Sequence, residues 1–84
     1  MSTLAAYRDF RVNLRAALDA KGVSQREFAD KCKTSVSYIN RVLCGRVQPS
    51  VDQADEMARA IGYRLADLLV SPKKFRELLL TTVA

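Results

Sequence analysis

Histidine and tryptophan are absent from this 84-residue chain, which also contains only two prolines, three glycines and two cysteines. Without histidine there is no imidazole to act as a general base or to bind zinc. Three scattered glycines do not form a phosphate-binding loop, and no Ser–His–Asp arrangement can be built. The sequence therefore predicts no enzymatic activity, no catalytic residue and no cofactor.

The two cysteines are too few for a metal site. Cys32 and Cys44 lie twelve positions apart, whereas a structural zinc ion needs about four nitrogen or sulfur ligands, usually in close pairs. A disulfide between helix ends is geometrically allowed, although reduced thiols are the usual state in a cytosolic protein. We expect no metal ion, and we expect Cys32 at a buried helical position.

Long apolar runs are also missing. Runs such as Leu68–Val70 and Leu78–Leu80 fall far short of the ~20 residues that cross a bilayer. Residues Met1–Phe10 lack the apolar stretch of a signal peptide. Because 49% of the residues are hydrophobic and 27% are charged, the composition is that of an ordinary globular domain. We expect one small cytoplasmic domain with no membrane partner.

The net charge of +5 is unevenly distributed along the chain. Residues 8–46 contain nine basic and four acidic side chains, whereas residues 51–70 contain two basic and four acidic ones. A local basic excess favours an acidic partner such as nucleic acid, although many small soluble domains are basic for no such reason. Charge alone leaves both interpretations open.

Apolar residues recur with helical periodicity, and they predict an all-α fold. The first helix covers about residues 4–20, and capping signatures at Ser24 and Ser50 open the second and fourth helices. The prediction is a compact five-helix domain over residues 1–70, followed over 71–84 by an amphipathic tail that is a candidate short sixth helix. The apolar stripe predicted for the fourth helix comprises Val51, Ala54, Met57, Ala58 and Ile61.

Residues 24–46 carry the most information. Two short helices are predicted here, joined by a tight turn at Lys33-Thr34, with Ser35 as the cap of the second. This arrangement is typical of a helix-turn-helix, which places its second helix in the major groove of DNA. We assign the motif to about residues 24–44.

The outward face of the third helix is the candidate base-reading surface. If Ile39 and Val42 point inward, four residues share the opposite face. Arginine can bond two acceptors on guanine, asparagine can read adenine, and an aliphatic side chain can meet the methyl group of thymine. The alternative is a solvated polar face of a bundle helix. The predicted base contacts are Val36, Ser37, Asn40 and Arg41.

Several short motifs occur in a fixed order along the chain. They are Lys21–Gln25 (KGVSQ), Ser35–Val42, Gly45-Arg46, Pro49-Ser50, Ala60–Gly62 and Leu65–Leu69. This ordered set resembles the lambda repressor and Cro-like helix-turn-helix domains of phage and bacterial regulators, over roughly residues 8–69. The resemblance implies a lambda-repressor-like fold that binds double-stranded operator DNA.

The resemblance also implies that Gln25, at the start of helix 2, bonds a DNA phosphate. Helix N-termini attract anions, and further polar residues flank the same surface. For one of them, Tyr38, the alternative is that its ring covers the edge of the core. Arg8, Arg11 and Arg15 are more typical of a solvated helix face. The predicted phosphate contacts are Gln25, Lys33, Ser35, Tyr38 and Arg46.

The chain departs from the resembled family in three respects. Lys33 replaces the usual turn glycine and should adopt a positive φ angle at a cost of about 1 kcal/mol. Leu18 and Leu43 replace an Arg–Glu ion pair, and such a joint replacement by packed apolar residues costs little. Arg64 replaces a Ser or Thr cap, so the start of helix 5 is not fixed by sequence.

These observations predict a sequence-specific transcriptional regulator, a repressor of phage or mobile-element type that binds a palindromic operator as a homodimer and lies on the nucleoid when bound. One domain reads too few base pairs to select a site among millions of competitors. The alternative for the C-terminal segment is that it folds back on its own core. The predicted dimer contacts are Leu69, Val70, Phe75, Leu78 and Leu79.

The sequence is also compatible with two other functions. The chain would be an antitoxin that represses its own operon if the tail over Pro72–Ala84 bound a toxin. It would be a protein-interaction adaptor if the fold no longer contacted DNA, but the polar and basic residues retained on the third helix argue against that reading.

Overall fold

Six α-helices follow one another in the computed structural model, which describes residues 3–82 and the side chains of residues 5–81; no strand occurs in that range. The predicted sixth helix is present and is eleven residues long. Residues 1–2 and 83–84 of the two predicted segments lie outside the described residues. The helices are α1 Thr3–Lys21, α2 Gln25–Lys31, α3 Val36–Leu43, α4 Val51–Ala60, α5 Leu65–Leu68 and α6 Pro72–Thr82.

Short-range hydrogen bonds fix the starts of the helices. The Ser24 hydroxyl accepts the Glu27 N–H at 3.1 Å, and the Glu27 carboxylate accepts the Ser24 N–H at 3.2 Å. Ser50 makes the same reciprocal pair with Gln53, at 3.2 and 3.1 Å. These two predicted capping boxes satisfy backbone N–H groups that the helices leave unpaired, so α2 and α4 begin where the sequence indicates.

The core is formed by apolar side chains from all six helices. The largest fully buried apolar side chains are Phe10, Leu14, Phe28, Ile39, Val42, Leu68 and Phe75. Val51 was predicted to face inward and does not, since 68% of it is exposed. It shares the helical face of Ala58 but is the first residue of α4, where no neighbouring helix covers it.

Phe75 is also placed differently from the prediction that it contacts a second copy. It is fully buried, and its ring meets that of Tyr63 edge-on, with the ring centroids 5.3 Å apart. Since α6 folds back against α1, the chain's own core already uses this side chain. Leu78 and Leu79 are half-buried against the same core.

One polar side chain, Asn13 on α1, is buried in this core. Its amide nitrogen donates to the carbonyl oxygen of Leu68 at 3.0 Å and to that of Val70 at 2.7 Å. The Leu68 carbonyl is the last one of the four-residue helix α5, and the Val70 carbonyl lies just beyond that helix. Neither carbonyl has a helical partner further along the chain. Asn13 therefore ties the α5–α6 connection to α1.

Lys21, the last residue of α1, connects two helices at the other end of the bundle. Its ammonium group donates to the carbonyl oxygen of Ile61 at 2.6 Å and lies 4.8 Å from the centre of the Tyr63 ring. A cation is favourable at the C-terminal end of a helix and over an aromatic face. These contacts join the end of α1 to the end of α4.

Candidate nucleic-acid interface

The turn between α2 and α3 determines the orientation of the third helix. Lys33 adopts a φ angle of +56°, as the sequence predicted for the residue replacing glycine. The N–H of Thr34 returns to the carbonyl of Ala29 at 3.0 Å, and the Ser35 hydroxyl then accepts the N–H of Tyr38 at 3.1 Å. One helix is thus ended and the next begun within four residues.

The third helix has one apolar and one polar face. Ile39, Val42 and Leu43 are buried in the core. Four residues are exposed on the opposite side, and together with Gln25 of α2 they line an open concavity. They are the predicted base contacts Val36, Ser37, Asn40 and Arg41, which the structure brings together on one surface.

Hydrogen bonds within this surface hold two of its side chains. The Asn40 amide nitrogen donates to the Gln25 side-chain oxygen at 3.3 Å, and the Arg41 Nε donates to the carbonyl of Ser37 at 3.4 Å. A guanidinium has five N–H donors, so Arg41 retains four for an outside acceptor. The surface can therefore offer directed donors and acceptors to a ligand.

The predicted phosphate contacts differ in their surroundings, and only Gln25 lines the concavity. Gln25 is the first residue of α2, and Lys33, Ser35 and Arg46 are exposed. Tyr38 instead packs its ring against the core, and its hydroxyl donates to the Gln53 side-chain oxygen at 3.0 Å. A phosphate contact from Tyr38 would require that hydroxyl to leave Gln53.

The turn, the third helix and the loop after it carry positive charge without an acidic residue. No Asp or Glu occurs from Lys31 to Val51. The ion pair between Arg59 and Asp55, at 3.1 Å, lies within α4. A surface of this kind attracts a polyanion, because its cations have no acidic neighbour within that segment of the chain.

Cys32 contributes no charge to this surface. Burial, and to a lesser extent the negative charge of Glu56, raises the pKa of the Cys32 thiol, so Cys32 is neutral at physiological pH. Cys32 is half-buried rather than buried as predicted, because it follows the last turn of α2.

Among residues 3–82 no three potential ligands cluster around a metal position, and no helix is long and apolar enough to cross a membrane.

Comparison with known proteins decides the family. The sequence profile of a helix-turn-helix family of the Cro/CI type matches residues 14–68. The chain belongs to this Cro/CI-type helix-turn-helix family. The match contains the whole motif from Gln25 to Leu43, and it confirms the resemblance drawn from the ordered sequence motifs.

A solved structure agrees with this helix-turn-helix assignment. The chain is similar to a hypothetical transcription factor, NHTF, from Neisseria, with a TM-score of 0.76 and 29% sequence identity. The similarity covers 89% of this chain and 84% of that one. A search of curated proteins finds no match. The helix-turn-helix protein described here is a DNA-binding transcription regulator.

An apolar hollow lies apart from the concavity of the motif. It has a volume of about 180 Å³ between α1, α4 and α5. Val51 stands exposed at its edge, and Leu69, a predicted dimer contact, is 37% exposed beside it. The hollow is lined by Ala6, Tyr7, Phe10, Val51, Ala54, Leu65 and Leu69.

Proposed function

We propose that this helix-turn-helix regulator is a repressor that binds a palindromic operator as a homodimer, on nucleoid DNA in the cytoplasm. The observation that carries the proposal is the exposed face of α3, where Val36, Ser37, Asn40 and Arg41 line one concavity with Gln25. Repression requires only that the bound protein occupies its site and excludes another protein from it.

The four side chains on α3 match the chemistry of base edges. Arg41 retains donors for the two acceptors of guanine, and Asn40 can pair with the donor and acceptor of adenine. Ser37 can donate or accept a hydrogen bond, and the exposed Val36 can meet a thymine methyl group. We assign base readout to these four residues.

Phosphate contacts would fix this helix in the groove. Gln25 at the start of α2 lies beside Asn40, so a phosphate held by Gln25 would set the position of a base-reading residue. Lys33 and Ser35, before the third helix, and Arg46, after it, are exposed. We assign these four to the DNA backbone, and Tyr38 joins them only if its bond to Gln53 opens.

Dimerisation is proposed through the apolar hollow between α1, α4 and α5. A two-fold interface must be complementary to itself, and this patch has both projecting side chains, Val51 and Leu69, and a hollow of about 180 Å³ next to them. Val70, Leu78 and Leu79 are only partly exposed and would contribute at the edge. A second copy seated here would leave the exposed face of α3 uncovered.

Selection of bound duplexes from a random pool would test the proposal. The expected product is a pair of inverted half-sites with centres about 34 Å apart along the DNA. Placing that site over a promoter should then lower transcription of a reporter. Recovery of a single unrepeated half-site would contradict the dimer, and failure to enrich any sequence would contradict specific binding.

A further inference from the structure

Arg11 on α1 lies against the end of the third helix. Its side chain is half-buried, and its guanidinium covers the backbone of Gly45. A Cβ atom added to Gly45 would lie 2.7 Å from Arg11 Nη1 and 2.8 Å from Cζ. Gly45 also has a φ angle of +79°, which glycine adopts without strain. Any other residue at position 45 would displace the guanidinium.

The backbone around this contact is firmly held. The N–H groups of Arg46 and Val47 both return to the carbonyl of Arg41, at 2.9 and 3.3 Å. Further along the same loop, the hydroxyl of Tyr7 donates to the carbonyl of Pro49 at 2.7 Å. Because α1 contacts the loop through both Arg11 and Tyr7, Arg11 has a fixed position relative to Arg46 and the third helix.

No acidic group neutralises this guanidinium. Among residues 3–82, Arg11 forms no ion pair. The residues one turn away on its own helix, Arg8 and Arg15, are also positive. The loop beneath it belongs to the segment without Asp or Glu from Lys31 to Val51. The guanidinium is therefore available to pair with an anion from outside the chain.

We propose that Arg11 is a DNA-phosphate contact supplied from outside the helix-turn-helix, and that it acts with Arg46 on the backbone at the C-terminal end of α3. This inference rests on the proposed DNA-binding surface and extends it onto α1. The planar fork of arginine suits a phosphate group. With Gln25 at the start of α2, it would give the third helix a backbone anchor at each end.

The alternative role for Arg11 is to cover the end of α3 and stabilise the fold only. The salt dependence of binding separates the two roles, because each phosphate contact adds about 0.9 to the slope of log K against log salt. Suitable variants are Arg11→Gln, which removes the charge, and Arg11→Lys, which keeps it. Arg15→Gln is the matched control, since Arg15 is an exposed arginine one turn along the same helix.

The measurement is fluorescence anisotropy of a mixed-sequence duplex of about 30 base pairs, titrated at several salt concentrations. Arg11→Gln should reduce the salt slope by about 1 per chain and weaken binding about tenfold at ~0.1 M salt. Arg11→Lys should retain the slope, and Arg15→Gln should behave as the wild type. Thermal unfolding of each variant shows whether the fold is intact.

An unchanged slope for folded Arg11→Gln would overturn the inference while leaving the DNA-binding proposal in place. An equal loss in Arg15→Gln would also overturn it, because the effect would then come from the overall charge of α1. If the wild type bound no duplex with salt dependence, the proposed function itself would fail.

Discussion

Asn40 of the third helix donates a hydrogen bond of 3.3 Å to the side-chain oxygen of Gln25, the first residue of α2. The bond links a residue assigned to bases with a residue assigned to the DNA backbone. It also joins the two helices of the motif at the surface that faces outward. The orientation of each side chain therefore depends on the other.

We expect this bond to appear as coupling in DNA binding. Asn40→Ala and Gln25→Ala should lower affinity separately, and the double variant should lose less than the sum by about 0.5–3 kcal/mol. The same cycle for Gln25 and Arg46, which share no hydrogen bond among the described residues, is the control and should be additive. Equal additivity in both cycles would contradict the coupling.

Arg41→Ala should cost roughly 1–3 kcal/mol of binding free energy and relax the preference at one base pair. The reason is that, among the described residues, only its Nε is bonded, which leaves the rest of the guanidinium for a guanine. Gln25→Ala should instead weaken binding to all sequences more evenly than Arg41→Ala does. Affinities measured on a panel of single-base operator variants distinguish these outcomes. If Arg41→Ala left the preferred DNA sequence unchanged, Arg41 would not be a base contact.

Leu18 and Leu43 are both buried in the core formed between α1 and α3. Leu43→Glu should destabilise the fold by about 3–5 kcal/mol, because it buries a carboxylate without a partner. Adding Leu18→Arg should restore much of this loss by supplying the opposite charge. Urea unfolding of the wild type, both single variants and the double variant measures the effect. Additive destabilisation would show that the two side chains do not pair.

Asn13→Ala should destabilise the protein by about 2–4 kcal/mol. The variant loses both donated bonds and leaves the buried carbonyl of Leu68 unpaired, at a cost of about 1–3 kcal/mol per unsatisfied group. Arg15→Ala, an exposed change one half-turn away, should remain within about 0.5 kcal/mol of the wild type. If both variants unfolded at the same urea concentration, Asn13 would have no structural role.

Val51→Asp should separate dimerisation from folding. Val51 is exposed at the first position of α4. An acidic residue there interacts favourably with the helix dipole, so the fold should be retained. A charge on each side of a two-fold apolar contact should prevent association. Sedimentation and binding to a two-half-site duplex are the measurements. Leu80→Asp, an exposed change on α6 outside the lining of the hollow, is the control and should still bind cooperatively.

The predictable parts of this fold are those encoded by neighbouring residues. The capping boxes at Ser24 and Ser50 each involve positions three apart, and the positive φ of Lys33 follows from its place in a tight turn. The outward face of α3 follows from helical periodicity alone, once its buried residues are known. These features required no knowledge of distant contacts.

Features that depend on distant contacts were missed or misplaced. Asn13 interrupts the apolar stripe of α1 between Phe10 and Leu14, which was a signal, but its acceptors lie 55 and 57 residues away. Val51 continues an apolar stripe past the point where another helix covers it. Arg11 has the spacing of a solvated face, and only the path of the Gly45 loop brings a partner beneath it.

The burial of Phe75 makes the last helix part of the folding unit. A chain cut between Leu69 and Pro72 would lose this side chain and leave the Tyr63 ring without its edge-on neighbour. Removal of a buried Phe side chain alone costs about 3–5 kcal/mol, a large share of the stability of a domain this small. One proteolytic cut in the connection before α6 would therefore also destabilise the third helix, and we expect it to shorten the lifetime of the regulator.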